Sequence, residues 1–506
     1  MRQLAEHYAE FQRAYPADRL LVVFDVDGVV VDPRHALRHR LLEYDRVHDT
    51  DHFDGLEAGD LDIGGNHVEG LLSERGVSAV VRRDVLDWYL NGRQEPIPTA
   101  LRPSPGVLGV IRWFQLQRST FVGFSTARPE RLREQTLRSL NALGRDLRVT
   151  FDADLLHMSD SGDALDAIAS KVEGLRAFAR AGFRTCAVVD NEPAVIQALV
   201  EADESGEILF LHARSPMDSE RVVAPRTVDG HQFDITALVG ENDIPDEVQL
   251  VWHGVNDATN LRQFLASQVR WGECDLRRDS QRRLVLRHDS FEDTPWSRDE
   301  SYLTLAGAVE AFAQHGRALK VDLKDGPDIL DEVMVVLDQH RVGDHDLWFN
   351  ARIDVLGADG FRMVRSRYPD AIVQCPIDFL APLVLAAPNR ARAILRMMAD
   401  WGITRFSVAW GSEHTRPVLD RLEEWDYEVN LYAVPDLDGF LQAVLLLPDS
   451  LTADFNFPEW NYYGRGSGEQ RRYHRYRMCE VAAADTAAVG LRPIGTTSPD
   501  LEWAAS

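Results

Sequence analysis

Two blocks of this chain alternate short apolar runs with helical stretches, and that alternation is the strongest constraint on its fold. In the first block the runs are LLVVFDV (20–26), TFVGFST (120–126) and TCAVVD (185–190), with helical patterns such as GVLGVIRWFQLQ (106–117) and VEGLRAFARAG (172–182) between them. Continuous apolar runs of this length suit strands buried on both faces of a parallel sheet, where each crossover is a helix. The second block reads QLVWHGV, RWGECDL, RRLVLRH, RALKVDLK, DLWFNARI, AIVQCPI, ITRFSVAW, YEVNLYAV and SLTADFNF, mostly separated by stretches such as LAGAVEAFAQHG (305–316) and RARAILRMMADWG (390–402). About eight βα units over about 250 residues is the size of a (β/α)8 barrel. The expected fold class is α/β, a parallel sheet followed by a TIM barrel.

Composition places the boundaries. Residues 1–213 read as the sheet domain, with 2–14 an amphipathic lead-in helix. Within it, 33–102 is a polar, His- and Asp-rich insertion with glycine turns such as Asp62-Ile-Gly-Gly-Asn66, read as a helical cap, a disordered loop being the alternative. The polar, Pro-punctuated stretch 214–248 reads as a linker, 249–483 as the barrel and 484–506 as a flexible tail. A length of 506 residues asks for two cores. Eighty-one acidic residues against 55 basic ones give a net charge of −26 and a pI near 5.0, which disfavours nucleic acid and anionic membrane surfaces as partners. The four cysteines, Cys186, Cys274, Cys375 and Cys479, form no CxxC pair and suggest neither zinc nor a disulfide framework. No apolar stretch is long enough for a spanning helix and the N-terminus lacks the apolar core of a signal peptide, so a cytoplasmic protein without membrane insertion is expected.

In FDVDGVVVD, Asp25 and Asp27 stand at the exit of the first apolar strand, where open parallel sheets bind ligands, and Gly28 permits a tight turn. Three later segments accompany them: GFSTARP with Ser125 and Thr126, ASKVEGL with Lys171, and VVDNEP with Asp190, Asn191 and Glu192. In this order the motifs resemble the haloacid dehalogenase (HAD) superfamily of phosphohydrolases. The resemblance implies that Asp25 attacks phosphorus and Asp27 is the general acid/base. It implies that Thr126 and Lys171 hold phosphate oxygens and that Asp25, Asp27 and Asp190 hold Mg²⁺. Ser125 and Asn191 are candidate substrate contacts. Where many members carry a second Asp this chain has Glu192, which leaves the second metal contact open. Chemically, a carboxylate approaches a dianionic phosphate only when cations neutralise the charge.

In WGECDLR, Glu273 and Asp275 lie two residues apart on a strand and so share one face. Two bare carboxylates there would repel each other unless water or a cation intervenes. His253 in WHGVN, His288 in LVLRHD, and Lys320, Asp322 and Lys324 in KVDLK lie in neighbouring strands and converge toward one barrel mouth. This set resembles PLC-like phosphodiesterase barrels over roughly 249–460: glycerophosphodiester phosphodiesterases, spider-venom sphingomyelinase D enzymes and, most closely, menorin-like proteins. The resemblance implies Mg²⁺ or Ca²⁺ on Glu273, Asp275 and Asp322, His253 and His288 as acid and base, and Lys324 with Lys320 on the phosphate. Glycerophosphodiesterases usually follow the first His with Arg and carry Glu where Asp322 stands, so the match to them is incomplete.

Asn256, Asn350, Gln374, Trp460, Tyr462 and Tyr463 are further candidates to line the mouth. His35, His39, His48, His52 and His67 cluster in the insertion and read as a solvated polar face rather than a zinc site. The function expected is a bifunctional metal-dependent phosphoesterase acting on a small phosphorylated metabolite or phosphodiester. The barrel would cleave a diester and the first domain a monoester through an aspartyl-phosphate. The alternatives are a barrel lyase that forms a cyclic phosphate, or domains that bind ligands without turnover.

Overall fold

The computed structural model describes residues 1–61, 70, 72–73, 75–92, 101–160, 164–213, 227–229, 233–235, 238–239, 244–295, 302–411, 414–434, 437–453, 455–456, 461–464 and 474–475. The chain divides into two compact units, Met1–Gly240 and Glu241–Ser506. Among the described residues no helix is long and apolar enough to cross a membrane.

The first unit is built on a six-stranded parallel sheet of order β3-β2-β1-β4-β5-β6, comprising β1 (Arg19–Asp25), β2 (Thr120–Pro129), β3 (Leu156–Ser159), β4 (Phe183–Asp190), β5 (Leu209–His212) and β6 (Thr227–Asp229). The order reverses direction at β1, with β2 on one side and β4 on the other, which is where ligands bind in open α/β sheets. Leu21, Val23, Phe178, Val188, Ile196 and Phe210 pack in one apolar cluster, so the central strands are covered by helices as a parallel sheet requires. Strand β6 lies inside 214–248, so part of the stretch read as a linker belongs to this sheet. The division between units also falls inside that stretch, at Gly240.

Between β1 and β2 the insertion forms helices Pro33–His48 and Ala79–Gly92. Asp32 caps the first by accepting from Arg34 N, and Pro33 opens it with its φ preset. Leu37, Leu41, Tyr44, Phe53, Leu56, Leu61, Leu72, Val77 and Val85 bury one another in a core of its own, so the described part of the insertion packs as a helical unit. His48 stacks on Tyr44 and its Nδ1 donates to the Tyr44 carbonyl at 2.9 Å, a packing role. Turn 62–66 and His67 lie outside the described residues.

The second unit is a closed ring of eight parallel strands, ordered β7 (Gln249–Trp252), β8 (Trp271–Arg278), β10 (Ala318–Leu323), β11 (Leu347–Ala351), β12 (Ile372–Pro376), β13 (Arg405–Ala409), β14 (Glu428–Val434) and β15 (Ser450–Ala453). Pairing of Ser450 with Gln249 closes it. Strand β9 (Leu284–Leu286), the RRLVLRH run, pairs antiparallel with β8 outside the ring, and so RRLVLRH is not one of the eight barrel strands. Alternate residues of each barrel strand fill the interior, so residues of one parity from neighbouring strands meet at the carboxyl-end mouth.

Candidate active sites

In the first unit the sheet places Asp25 at the end of β1, in register with Ser125 of β2, while Asp190 ends β4. Lys171, from the helix Ala164–Arg180, reaches between them: its Nζ lies 2.9 Å from Asp25 Oδ1 and donates to Asp190 Oδ2 at 2.7 Å. All three are buried. Asp25 Oδ1 also accepts from Val26 N at 2.7 Å and Asp190 Oδ1 from Glu192 N at 2.9 Å, which fixes both carboxyl planes. Burial pushes the Asp25 carboxyl up to about 8, aided by Asp190 and Asp27 and opposed by Lys171. A cation added beside it would return it to the anionic state a nucleophile needs.

Asn191 packs against the other oxygen of Asp25. Its side-chain NH2 donates to Asp25 Oδ2 at 3.0 Å and to the Asp27 carbonyl oxygen at 3.2 Å. Gly28, at φ +95°, makes room, because a Cβ there would sit 2.5 Å from the outer end of that amide. The buried carboxylates of Asp25 and Asp190, both held by Lys171, are oxygen ligands of the kind a hard divalent cation takes.

The Asp27 carboxylate itself faces elsewhere. Arg128 donates to it through Nε at 2.9 Å and Nη2 at 2.7 Å, and Thr126 Oγ1 through a 3.3 Å bond. Thr126 is fully buried, and Ser125 Oγ is buried with no hydrogen-bond partner among the described residues. The sequence reading missed Arg128. Its signal was its place two residues after Thr126 on the same strand, which puts both on one face.

In the barrel the register sets the second site. Asp275 of β8 stands beside Asp322 of β10, and Glu273 beside Lys320. The Glu273, Asp275 and Asp322 carboxylates offer oxygens within 4.8 Å of one another, all buried. Lys324 Nζ sits 3.0 Å from Asp275 Oδ1 and donates to Asp322 Oδ2 at 2.5 Å. Burial opposes ionisation of Asp275, but Lys324, His288 and His253 outweigh it and hold the carboxyl well below its usual range. Burial raises Glu273 against Lys320 and His253. Among the described residues its Oε2 is buried without a hydrogen-bond partner, its cation Lys320 being 3.6 Å away. A buried oxygen left unbonded beside two further carboxylates fits a divalent cation with oxygen ligands.

Neighbouring amides hold the carboxylates in place. Asn256 donates to Asp275 Oδ2 at 2.5 Å and accepts from Asp275 N at 2.9 Å. Gln374 donates to Asn350 Oδ1 at 2.8 Å, and Asn350 donates to Asp322 Oδ1 at 2.9 Å. Lys320 lies deeper than Lys324, fully buried, donating to Thr452 Oγ1 at 2.8 Å with Trp348 beneath it at 4.7 Å. The histidines sit just past strand ends, His253 after β7 and His288 after β9, and the His288 Nδ1 is 2.9 Å from Asp289 Oδ1.

No family model and no curated protein matches the chain. Solved structures do. A glycerophosphodiester phosphodiesterase from Thermotoga maritima is similar over 40% of this chain and 93% of its own, at 10% identity and a TM-score of 0.30. An Oleispira antarctica phosphodiesterase in complex with the product sn-glycerol-3-phosphate matches over 42% of this chain and 93% of its own, at 14% identity and a TM-score of 0.31. A Bacteroides vulgatus protein assigned as a β-phosphoglucomutase matches over 43% and 91%, at 17% identity and a TM-score of 0.23. At these values no residue's role carries over from them.

Of the remaining candidates, Tyr462 and Tyr463 lie on the strand Asn461–Gly464, of whose side chains nothing is described, and Trp460 lies outside the described residues. Cys274 points away from Glu273 and Asp275, its Sγ donating to Val255 O at 3.5 Å, a packing position behind the strand.

Proposed function

We propose that the chain is a metal-dependent phosphoesterase with two active sites, the barrel cleaving a phosphodiester and the sheet domain, as a HAD-type phosphatase, a phosphomonoester. The observation that carries the proposal is the buried triad Glu273, Asp275 and Asp322, with a Glu273 oxygen unbonded among the described residues, beside Lys324 and within electrostatic reach of His253 and His288.

In the barrel, Glu273, Asp275 and Asp322 would hold Mg²⁺ or Ca²⁺, and the ion would supply charge for the phosphate oxygens. Lys324 steadies the developing negative charge. One histidine takes a proton from the attacking water and the other returns one to the leaving alcohol oxygen, so His253 and His288 exchange protonation states across a turnover. Lys320 supports Glu273 from the barrel interior. In the sheet domain Asp25 attacks phosphorus through a carboxylate oxygen, its carboxyl plane held by Val26 N and Lys171. Asp27 protonates the departing alcohol and then deprotonates the water that releases phosphate from Asp25, roles that require Arg128 to leave Asp27 for the phosphate oxygens. Thr126, Lys171 and Arg128 supply donors for the phosphate oxygens, and Mg²⁺ would neutralise the dianion.

The test is to separate the activities. Asp25→Asn should abolish hydrolysis of p-nitrophenyl phosphate with Mg²⁺ and spare bis-p-nitrophenyl phosphate, and His288→Ala should do the reverse. Retention of both activities by both variants would refute the assignment. Phosphorus NMR of a natural diester product distinguishes hydrolysis, which gives a monoester, from attack by a substrate hydroxyl, which gives a cyclic phosphate.

A further inference from the structure

The segment that carries His288 is held by two guanidinium groups that gather different carbonyls of it. Arg277, two residues past Asp275 on β8, donates to the His288 carbonyl through Nε at 3.0 Å and Nη2 at 2.8 Å. Its third nitrogen, Nη1, donates to Asp325 Oδ1 at 2.9 Å, and Asp325 Oδ2 accepts from Arg278 N at 2.7 Å. Asp325 is the residue after Lys324. One planar side chain therefore ties the His288 backbone to the turn that presents the phosphate-binding lysine.

Arg287 holds the far side of the same segment. It is 3% exposed, its Nη1 donates to the Asp289 and Ser290 carbonyls at 2.8 Å each, and its Nη2 donates to the Thr294 carbonyl at 2.8 Å. Its guanidinium lies 4.7 Å from the Phe291 ring. Its backbone N–H donates to the Asp275 carbonyl at 2.7 Å, so the segment starts from the strand that bears the triad. Four successive or near-successive carbonyls are thus gathered by two forks. Only Arg presents several donors in a rigid plane; an ammonium on a flexible stem cannot span the same oxygens.

We infer that Arg277 and Arg287 are positioning residues for His288, and that Arg277 makes the histidine and Lys324 move as one rigid group. The inference rests on the role given to His288 above. Neither arginine meets substrate; each acts by fixing where the imidazole stands, with Asp289 at its Nδ1. Misplacement of a catalytic group by about 1 Å costs about 10²-fold in rate.

The test uses the full-length chain with Arg277→Gln, Arg277→Lys, Arg287→Lys, His288→Ala and the double variant Arg277→Gln/His288→Ala. Readouts are kcat and KM for bis-p-nitrophenyl phosphate, Mg²⁺ affinity by calorimetry, and amide hydrogen exchange over 287–294. Arg277→Gln should lower kcat about 10- to 100-fold with little change in KM or Mg²⁺ affinity. It should speed exchange at 288–290 and add no further loss in the His288→Ala background. Both lysine variants, which keep the charge but not the fork, should shift the same way by less. Equal losses with and without His288, or a lost Mg²⁺ affinity, would mean a merely structural role and overturn the inference. A wild-type protein inactive on diesters would overturn the proposed function but not this inference, which the exchange rates then decide: unchanged rates in Arg277→Gln refute it.

Discussion

Replacing Gly28 by alanine tests the geometry of the sheet-domain site with a single atom. The residue has φ +95°, and the added Cβ would lie 2.5 Å from the outer end of the Asn191 amide and 2.7 Å from its Cγ. Holding a non-glycine residue in such backbone costs about 1–3 kcal/mol. Driving Asn191 off its rotamer costs about 0.5–1.5 kcal/mol more. Gly182, which follows the helix Ala164–Arg180, is the control: its φ is +86° and a Cβ there meets nothing within 4 Å. Gly28→Ala should therefore be less stable than Gly182→Ala by about 1 kcal/mol, or about 2–4 °C in a unit of this size by scanning calorimetry. The functional split should be sharper. Measured well below either transition, p-nitrophenyl phosphatase activity should survive in Gly182→Ala and fall in Gly28→Ala, with a weaker Mg²⁺ dependence, because only the latter displaces the amide beside Asp25. Equal destabilisation of the two variants with monoesterase intact in both would refute the reasoning.

Two further outcomes are expected. Lys171→Met removes the ammonium between Asp25 and Asp190 and leaves two buried carboxylates facing each other. It should cost about 3–5 kcal/mol in thermal unfolding, and added Mg²⁺ should restore more stability to the variant than to wild type. Asn350→Ala removes the donor to Asp322 Oδ1 and should weaken divalent-cation binding about 10- to 100-fold by calorimetry while the barrel stays folded. An unchanged affinity would show that Asp322 needs no such support.

What the sequence made legible was parity. Glu273 with Asp275, and Asp322 with Lys324, share a face by alternation alone, and the motif order around Asp25, Lys171 and Asp190 placed three residues that the structure brings together, while Thr126 bonds Asp27 instead. What alternation does not encode is depth and partnership. Lys320 has the same parity as Lys324, yet four residues earlier along the chain it lies inside the barrel against Thr452 and Trp348. Asn256 and Asn350 read as substrate contacts, whereas both amides are spent on the carboxylates Asp275 and Asp322, because which strand neighbours which is a property of the closed ring. Strand β6 is three residues long within a Pro-punctuated stretch, too short to show a period. Strand β9 has the apolar look of a barrel strand and is an antiparallel hairpin arm. Arg128 and Arg277 were overlooked because a basic residue on a strand end reads as solvated until its acceptor across the fold is known.

Closure of the ring through Ser450 and Gln249 also sets the order in which the chain matures. The partners in that last pairing are about 200 residues apart, and contacts of such separation form late because loop closure must be achieved before they contribute. During synthesis the sheet unit, complete by Gly240, has all its strands available before the first barrel strand emerges. Until β15 arrives, β7 keeps an open edge of unpaired backbone groups, the kind of edge that invites pairing with another chain. The final strand of the ring is therefore also its protection: a chain interrupted before Ser450 would carry the carboxylates Glu273, Asp275 and Asp322 and an uncovered edge in the same ring.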